Sequence, residues 1–284
     1  MNSLKFEDQA VIAGRYPELF RPDWRRRSGT IAVLGAAFAL FVLGMVQLEI
    51  PLHRLSDGMV RLGGFLRLMV PPDAGSWAQA GNYLHALGET LSIAFLGTLG
   101  GAVLALPASL LAARNVVANR IVHFLARRSL DTIRGVDTLI WALIWVGVVG
   151  LGPFAGVLAV LCSDFGTFGK LFSEAIEAAD KKPVEGVQAA GGNHLHGVRF
   201  GLLPQVIPIL LSQVLYYFES NTRSATIIGI VGAGGIGLQL AEQIRVLEWQ
   251  KVSFLILLIL VTVSAIDWMS SRLRFAIIGR RAIA

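Results

Sequence analysis

Charged residues are scarce in this chain of 284 residues. Asp, Glu, Lys and Arg make up 15% of it, whereas 54% of the residues are hydrophobic. A soluble domain carries about 25% charged residues, so the scarcity excludes an ordinary water-covered surface and predicts a protein of the lipid bilayer. There is one cysteine, Cys162, which excludes an internal disulfide and a cysteine metal site. We interpret it as a small buried hydrophobe.

Motifs of several other protein classes are also missing. No G-x-x-x-x-G-K-[ST] phosphate-binding loop occurs, so the chain is not predicted to be a P-loop ATPase itself. The net charge is +6, but the basic residues form neither a stripe nor an RNA-binding motif, which excludes nucleic acid as a partner. The predicted spans contain no histidine and no H-E-x-x-H motif, which argues against a membrane enzyme.

Long apolar runs predict transmembrane helices, which need about 20 residues each. The middle of the chain allows either one long span, Thr138–Ser163, or two spans separated at Gly150–Pro153. Two spans put most Lys and Arg residues on the cytoplasmic side, whereas one span divides them almost evenly, so the positive-inside rule favours two. The predicted crossings are Ile31–Ile50, Thr90–Ala113, Val136–Leu151, Phe154–Phe172, a fifth from near Leu203 to Ile230, and a last one centred on Phe254–Ile266.

This topology is an all-α, multi-pass membrane protein with six transmembrane helices and both termini in the cytoplasm. Residues 1–30 are a cytoplasmic tail, 31–50 the first span, 51–85 a periplasmic segment and 86–284 the core. The periplasmic segment has apolar residues three or four apart with two arginines among them, which predicts an amphipathic helix on the outer membrane surface. An ordinary connecting helix packed on the spans is the alternative. The residues concerned are Leu55, Met59, Arg61, Leu62, Leu66, Arg67 and Met69.

A polar loop of residues 173–201 is predicted to form a helix–turn–helix across the cytoplasmic face. Lys182-Pro183 fits a helix start, and Gly191-Gly192 fits its end. A second short helix would run to Arg199, before Leu203-Pro204 re-enters the membrane. Such a helix–turn–helix offers a surface to which another protein can bind.

This loop resembles the EAA loop of the integral-membrane subunits of binding-protein-dependent ABC importers. Glu185, Gly191 and Leu203-Pro204 have the spacing of that loop, whereas Gly186 and Val187 replace its two alanines. Segments between about residues 89 and 240, among them "GLGPFAGVLAV" and "NTRSATIIGIVGAGGIG", look like the phosphonate-type branch of these permeases.

The resemblance implies a type I ABC importer permease fold in the bacterial inner membrane. Two copies would pair with two cytoplasmic ABC ATPases, which use ATP and Mg, while this chain itself binds no cofactor and no metal. A periplasmic substrate-binding protein would deliver phosphonate, phosphite, hypophosphite or phosphate. The loop would act as a coupling helix through Glu185, Ala189, Ala190, Gly191 and His194.

Two alternatives stay open on the sequence. The chain could be an ABC permease for another small solute such as methionine. It could instead be an ion-driven secondary transporter, which predicts internal repeats and midplane carboxylates. Asp164 is the only such carboxylate in the middle spans, and we expect it to be structural, partnered or near a helix end.

The fifth crossing carries a polar cluster, which we predict to line the substrate pathway. A break of the helix here would expose amide groups, and the arginine would suit phosphoryl oxygens. The alternative is a structural Glu–Arg pair, since the two residues lie four apart on one helix face. The cluster consists of Glu219, Asn221, Thr222, Arg223 and Ser224.

Directly after this cluster come glycines in the G-x-G-x-x-G spacing of dinucleotide-binding folds. That motif requires a preceding strand and an acidic residue about 20 positions later, yet the next aspartate, Asp267, is farther away. We therefore interpret the glycines as a sharp, closely packed turn that forms part of an outer gate. They are Gly232, Gly234, Gly235 and Gly237.

Overall fold

A computed structural model describes residues 24–48, 52–117 and 119–278, without the side chains of 24–27, 52–56 and 277–278. Most of the predicted cytoplasmic tail lies outside these residues. The described part is helical, and no strand occurs in it. The α-helices are α1 (Trp24–Gln47), α2 (Leu52–Leu68), α3 (Trp77–Ala112), α4 (Arg120–Arg134), α5 (Thr138–Val149), α6 (Pro153–Glu177), α7 (Lys182–Ala189), α8 (His194–His196), α9 (Leu203–Ile228), α10 (Ile236–Arg245) and α11 (Trp249–Ile278).

Five helical segments are long and apolar enough to cross a membrane, and a sixth is obtained if α4 and α5 form one bent span. With 12 residues, α5 is about 18 Å long, which is too short to cross a hydrocarbon core of about 30 Å alone. The α4–α5 pair bends by 85°. Six crossings therefore require this pair to act as one span.

The predicted separation at Gly150–Pro153 is confirmed, although the helix before it is shorter than the predicted span Val136–Leu151. Helix α5 ends at Val149 and α6 begins at Pro153. Between them, Gly150 and Gly152 have φ angles of +93° and +137°, which side chains with a Cβ rarely adopt. The proline at the first turn of α6 then starts the new helix with its φ already fixed.

The chain divides into two compact units, residues 1–64 and 65–284. In the first unit, the described side chains of α1 are almost all exposed. In the second unit, the end of α2 packs on the start of α11. There, the rings of Phe65 and Trp249 lie 5.2 Å apart, and the Ser253 hydroxyl donates to the Met69 carbonyl oxygen at 2.6 Å.

The most extensive helix contact joins α3 and α6. Gly97, Gly101 and Ala105 recur at intervals of four residues on α3, the spacing that lets two membrane helices approach closely. A Cβ atom at Gly101 would lie 2.8 Å from the Cβ of Asp164. The small residues therefore bring an acidic residue of α6 against the backbone of α3.

Several helices are longer than the predicted spans. Helix α3 begins at Trp77 rather than Thr90, because Ser76 and Gln79 form a capping box that starts it earlier. The last helix runs to Ile278, well beyond the predicted centre Phe254–Ile266, and includes Arg272 and Arg274. Apolar composition marks only the hydrocarbon-crossing part of a helix, and the polar ends escape it.

Candidate functional site

The predicted break at Asn221–Ser224 is wrong, because α9 continues without interruption from Leu203 to Ile228. Hydroxyl groups in the cluster donate to carbonyl oxygens of their own helix, Thr222 to Phe218 and Ser224 to Ser220. Such bonds satisfy a polar side chain without opening the helix. Polar composition alone therefore does not break this span.

Asn221 faces the interior of the bundle. It is 6% exposed, and its amide group donates to the Thr98 hydroxyl oxygen on α3 at 2.8 Å and to the Asp164 carboxylate on α6. Asp164 is 3% exposed. The three side chains join three helices by interhelical hydrogen bonds, so Asp164 is partnered, as expected. Lys170, the nearest cation in sequence, pairs instead with Asp131 at 3.2 Å.

Glu219 links two helices through two arginines. Its carboxylate lies 3.1 Å from the Arg223 guanidinium on the same helix and 3.2 Å from that of Arg274 on α11. The carboxylate side chain is 8% exposed, whereas that of Arg223 is 48% exposed. The Glu–Arg pair considered in the sequence thus forms, and Arg274 is a third member that sequence reasoning missed.

Among the five residues predicted to line a pathway, Arg223 is the exposed one, since Glu219, Asn221 and Thr222 are buried and Ser224 is half-buried. The guanidinium carries five donors in a fixed fork. Glu219 receives one of its hydrogen bonds and holds the group at the helix surface. The arrangement presents a positive group at the helix surface, supported by a buried carboxylate.

The glycine segment folds the chain back sharply after α9. Gly232, Gly234 and Gly235 have φ angles of +98°, +79° and +74°, and the amide of Gly152 donates to the Gly232 carbonyl oxygen at 2.9 Å. All four glycines predicted to form a gate are buried. A helix precedes them rather than the strand that a dinucleotide-binding motif needs.

Two side chains of α3 hold the N-terminus of α10 in this turn. The amide of Gly235 donates to the Glu89 carboxylate at 3.2 Å, and that of Ile236 donates to the Thr90 hydroxyl oxygen at 2.8 Å. The negative charge also complements the positive end of the helix dipole. Sequence reasoning missed this contact, although Glu89 at the edge of an apolar run was a visible signal.

Residues 182–202 form a helical hairpin, called the coupling hairpin here. Helix α7 ends as predicted, and Gly191 has a φ angle of +87°. The N–H group of Gly191 donates to the carbonyl oxygen of Gln188, and the N–H group of Gly192 donates to the carbonyl oxygen of Val187. This is the Schellman arrangement of a helix C-terminus. The return arm begins with the Asn193 side chain accepting from the amide of His196 at 2.9 Å.

The two arms of the coupling hairpin are in close contact. A Cβ atom at Gly201 would lie 2.7 Å from the Cα of Val184, so only glycine permits this approach. The five residues predicted to couple to an ATPase are all exposed. A cleft of about 320 Å³ beside them is lined in part by Asp180, Glu185 and His194. The hairpin is thus a shaped, accessible surface.

The described residues contain no group of three His, Cys, Asp or Glu side chains arranged as metal ligands.

The family of binding-protein-dependent transport system inner membrane components matches residues 105–276. Two relatives from Stutzerimonas stutzeri match most of the chain. The phosphite transport system permease protein PtxC is 34% identical over 277 residues, 96% of this chain and 98% of its own. HtxC, whose name as a phosphite transport permease is provisional, is 38% identical over 259 residues, 91% of each chain.

The fold is similar to that of a chain of the MetNI methionine ABC transporter, solved in inward-facing conformations. The similarity covers 72% of this chain and 99% of the other, with a TM-score of 0.63 and 20% sequence identity. At that identity the likeness concerns the fold.

Proposed function

The chain belongs to the family of binding-protein-dependent transport system inner membrane components, and we propose that it forms the pathway of an ATP-driven importer for a small phosphorus oxyanion. It is a transport permease rather than an enzyme, and its family works with an ATPase and a binding protein. The observation that carries the choice of substrate is the identity of 34% to a phosphite permease over nearly the full length of both chains. Phosphite, phosphonate, hypophosphite and phosphate all carry negatively charged, phosphorus-bound oxygen atoms that a pathway for oxyanions can contact.

The exposed guanidinium of Arg223 is the contact that we assign to the passing oxyanion. Arg binds phosphoryl oxygens through parallel hydrogen bonds. Glu219, which also pairs with Arg274, holds this group from the buried side, and the glutamate limits the net charge so that the anion can leave again. Asn221 and Thr222 support the wall behind Arg223, with Ser224 beside it.

The assembly that we propose contains two copies of this chain, two ATPases and one periplasmic binding protein. The coupling hairpin occurs once per chain, so each copy serves one ATPase through Glu185, Ala189, Ala190, Gly191 and His194. ATP and Mg act in the ATPases. Both termini lie in the cytoplasm, which puts the glycine turn of residues 229–237 at the outer side as part of a gate.

Transport by the reconstituted complex tests this proposal. The full chain is purified together with its ATPase and its substrate-binding protein and placed in proteoliposomes. We expect ATP-dependent uptake of radiolabelled phosphite or phosphate that an excess of methylphosphonate reduces and that omission of the ATPase abolishes. The purified chain should also cross-link as a pair.

Methionine serves as the matched substrate control. Uptake of methionine without uptake of any phosphorus oxyanion would contradict the proposed substrate. Uptake driven by an ion gradient without the ATPase would contradict the proposed energy source.

A further inference from the structure

Helix α4 and the segment that connects it to α3 line a basic cleft of about 600 Å³, and none of the predicted pathway residues belongs to its lining. We call it the α4 cleft. Its lining includes Arg114, Arg120, His123, Arg127, Arg128 and Asp131.

The charges of the α4 cleft do not cancel. Arg127 is held by Glu174 and Glu177 at 3.1 and 3.4 Å, and Lys170 shares Asp131 with Arg128. Arg114 donates its Nε–H group to the Nε2 atom of His123 at 3.2 Å. No described carboxylate pairs with the side chains of Arg114 and Arg120. The cleft therefore keeps an excess of positive charge with free donors.

Apolar side chains lie directly beside these arginines. Ile121, Phe124 and Leu125 are 70%, 58% and 59% exposed. Phe124 lies one helical turn from both Arg120 and Arg128, and the Arg128 guanidinium lies 5.6 Å from the centre of its ring. Alternation of basic and large apolar residues on one exposed surface is typical of helices at a membrane–water interface.

The other side of α4 is fixed to the bundle. Leu130 is buried and contacts Gly169, where a Cβ atom would collide with the leucine side chain, and the backbone of Arg134 lies against Gly166. Helix α4 is thus anchored along one face, and the basic and apolar face is held outward in a fixed orientation.

We propose that the α4 cleft binds the headgroup of an anionic phospholipid, with Arg114, Arg120 and Arg128 contacting its phosphate while the exposed apolar side chains contact its acyl chains. A free phosphate ion would use only the arginines and leave Ile121, Phe124 and Leu125 without a partner. A phospholipid satisfies both groups at once. This site is separate from the transport pathway and does not depend on the identity of the transported solute.

Lipid titration of the full purified chain, followed by native mass spectrometry, tests the site. We expect phosphatidylglycerol to bind more tightly than phosphatidylcholine. Each arginine near a membrane surface contributes about five-fold to the affinity for an anionic lipid, so the variant R120Q/R128Q should bind phosphatidylglycerol about 25-fold more weakly. The variant R120K/R128K should retain most of the affinity.

The matched control is R199Q/R245Q, which removes two exposed arginines outside the cleft. Its affinity for phosphatidylglycerol should equal that of the wild type, and thermal melting checks that all variants are folded. The proposed site would be overturned if R120Q/R128Q and R199Q/R245Q lost the same affinity for phosphatidylglycerol. It would also be overturned if the wild type bound phosphatidylglycerol and phosphatidylcholine equally. Displacement of phosphatidylglycerol by excess inorganic phosphate would overturn the lipid assignment in favour of a free-anion site.

Discussion

Asn221 and Arg223 lie two residues apart on α9, yet their side chains occupy opposite environments. Asn221 is buried and bonded to α3 and α6, whereas Arg223 is half exposed and is held by a glutamate from behind. A polar residue in a membrane span can therefore serve either to join helices or to present a charge. The inward positions should control stability and the exposed positions should control transport.

The largest effect is expected at an inward position where no side chain fits. A Cβ atom at Gly237 would collide with the carbonyl oxygen of Thr226, so G237A should lower the free energy of unfolding by about 3 kcal/mol. Thermal unfolding of the purified chain measures this. The matched control is G81A, because a Cβ atom at Gly81 meets nothing within 4 Å, and this variant should be neutral or slightly more stable. Equal melting of both variants would contradict the tight turn.

The next effect concerns the bonds of Asn221. The variant N221L removes hydrogen bonds to Asp164 and Thr98, and interhelical hydrogen bonds in membranes are worth up to about 1.7 kcal/mol. We expect a stability loss of about 1.5 kcal/mol. A double-mutant cycle with D164L should show that the two substitutions are not additive. Additive losses would mean that the two side chains do not stabilise each other.

At the exposed position, R223Q should reduce oxyanion uptake about ten-fold, because it removes one charged hydrogen bond worth about 1.5 kcal/mol. The melting temperature should stay unchanged. Uptake by proteoliposomes containing the complete complex measures this. The exposed Arg272, which stacks on Trp268, provides the control R272Q, which should transport normally. Normal uptake by R223Q would remove Arg223 from the pathway.

The smallest effect is expected on the coupling hairpin. Glu185 is exposed in the first turn of α7, and exposed ion pairs contribute at most about 1 kcal/mol. E185Q should therefore weaken ATPase binding by no more than about five-fold, without a change in melting. Co-purification of the ATPase measures this, with E242Q as an exposed control on α10. A loss of stability in E185Q would show that this glutamate is structural.

The sequence predicts those structural features that are determined by residues close to each other in the chain. Apolar runs mark the spans, because a helix in lipid must be apolar along about 20 residues. Gly150–Pro153 and Gly191-Gly192 mark helix ends, because positive φ angles and a fixed proline φ are properties of single residues. These features agree with the structure.

Tertiary partners could not be predicted in the same way. The sequence places Glu219 beside Arg223, one turn apart, but nothing local indicates that Arg274 is the second partner 55 residues later. The polar run of residues 219–224 favoured a helix break, which the structure contradicts because Asp164 and Thr98 satisfy Asn221 from two other helices. An aspartate and an asparagine on different spans were the available signal for that pairing.

The continuity of α9 has a mechanical consequence. The helix starts where the coupling hairpin ends and reaches Arg223 after 20 residues, or about 30 Å, and its interior proline, Pro208, lies near the start. If the coupling hairpin tilts, a rigid α9 tilts with it, and the displacement is largest at the far end of the helix, where Arg223 lies. The ion pair between Glu219 and Arg274 joins α9 to α11, so the two helices would move together.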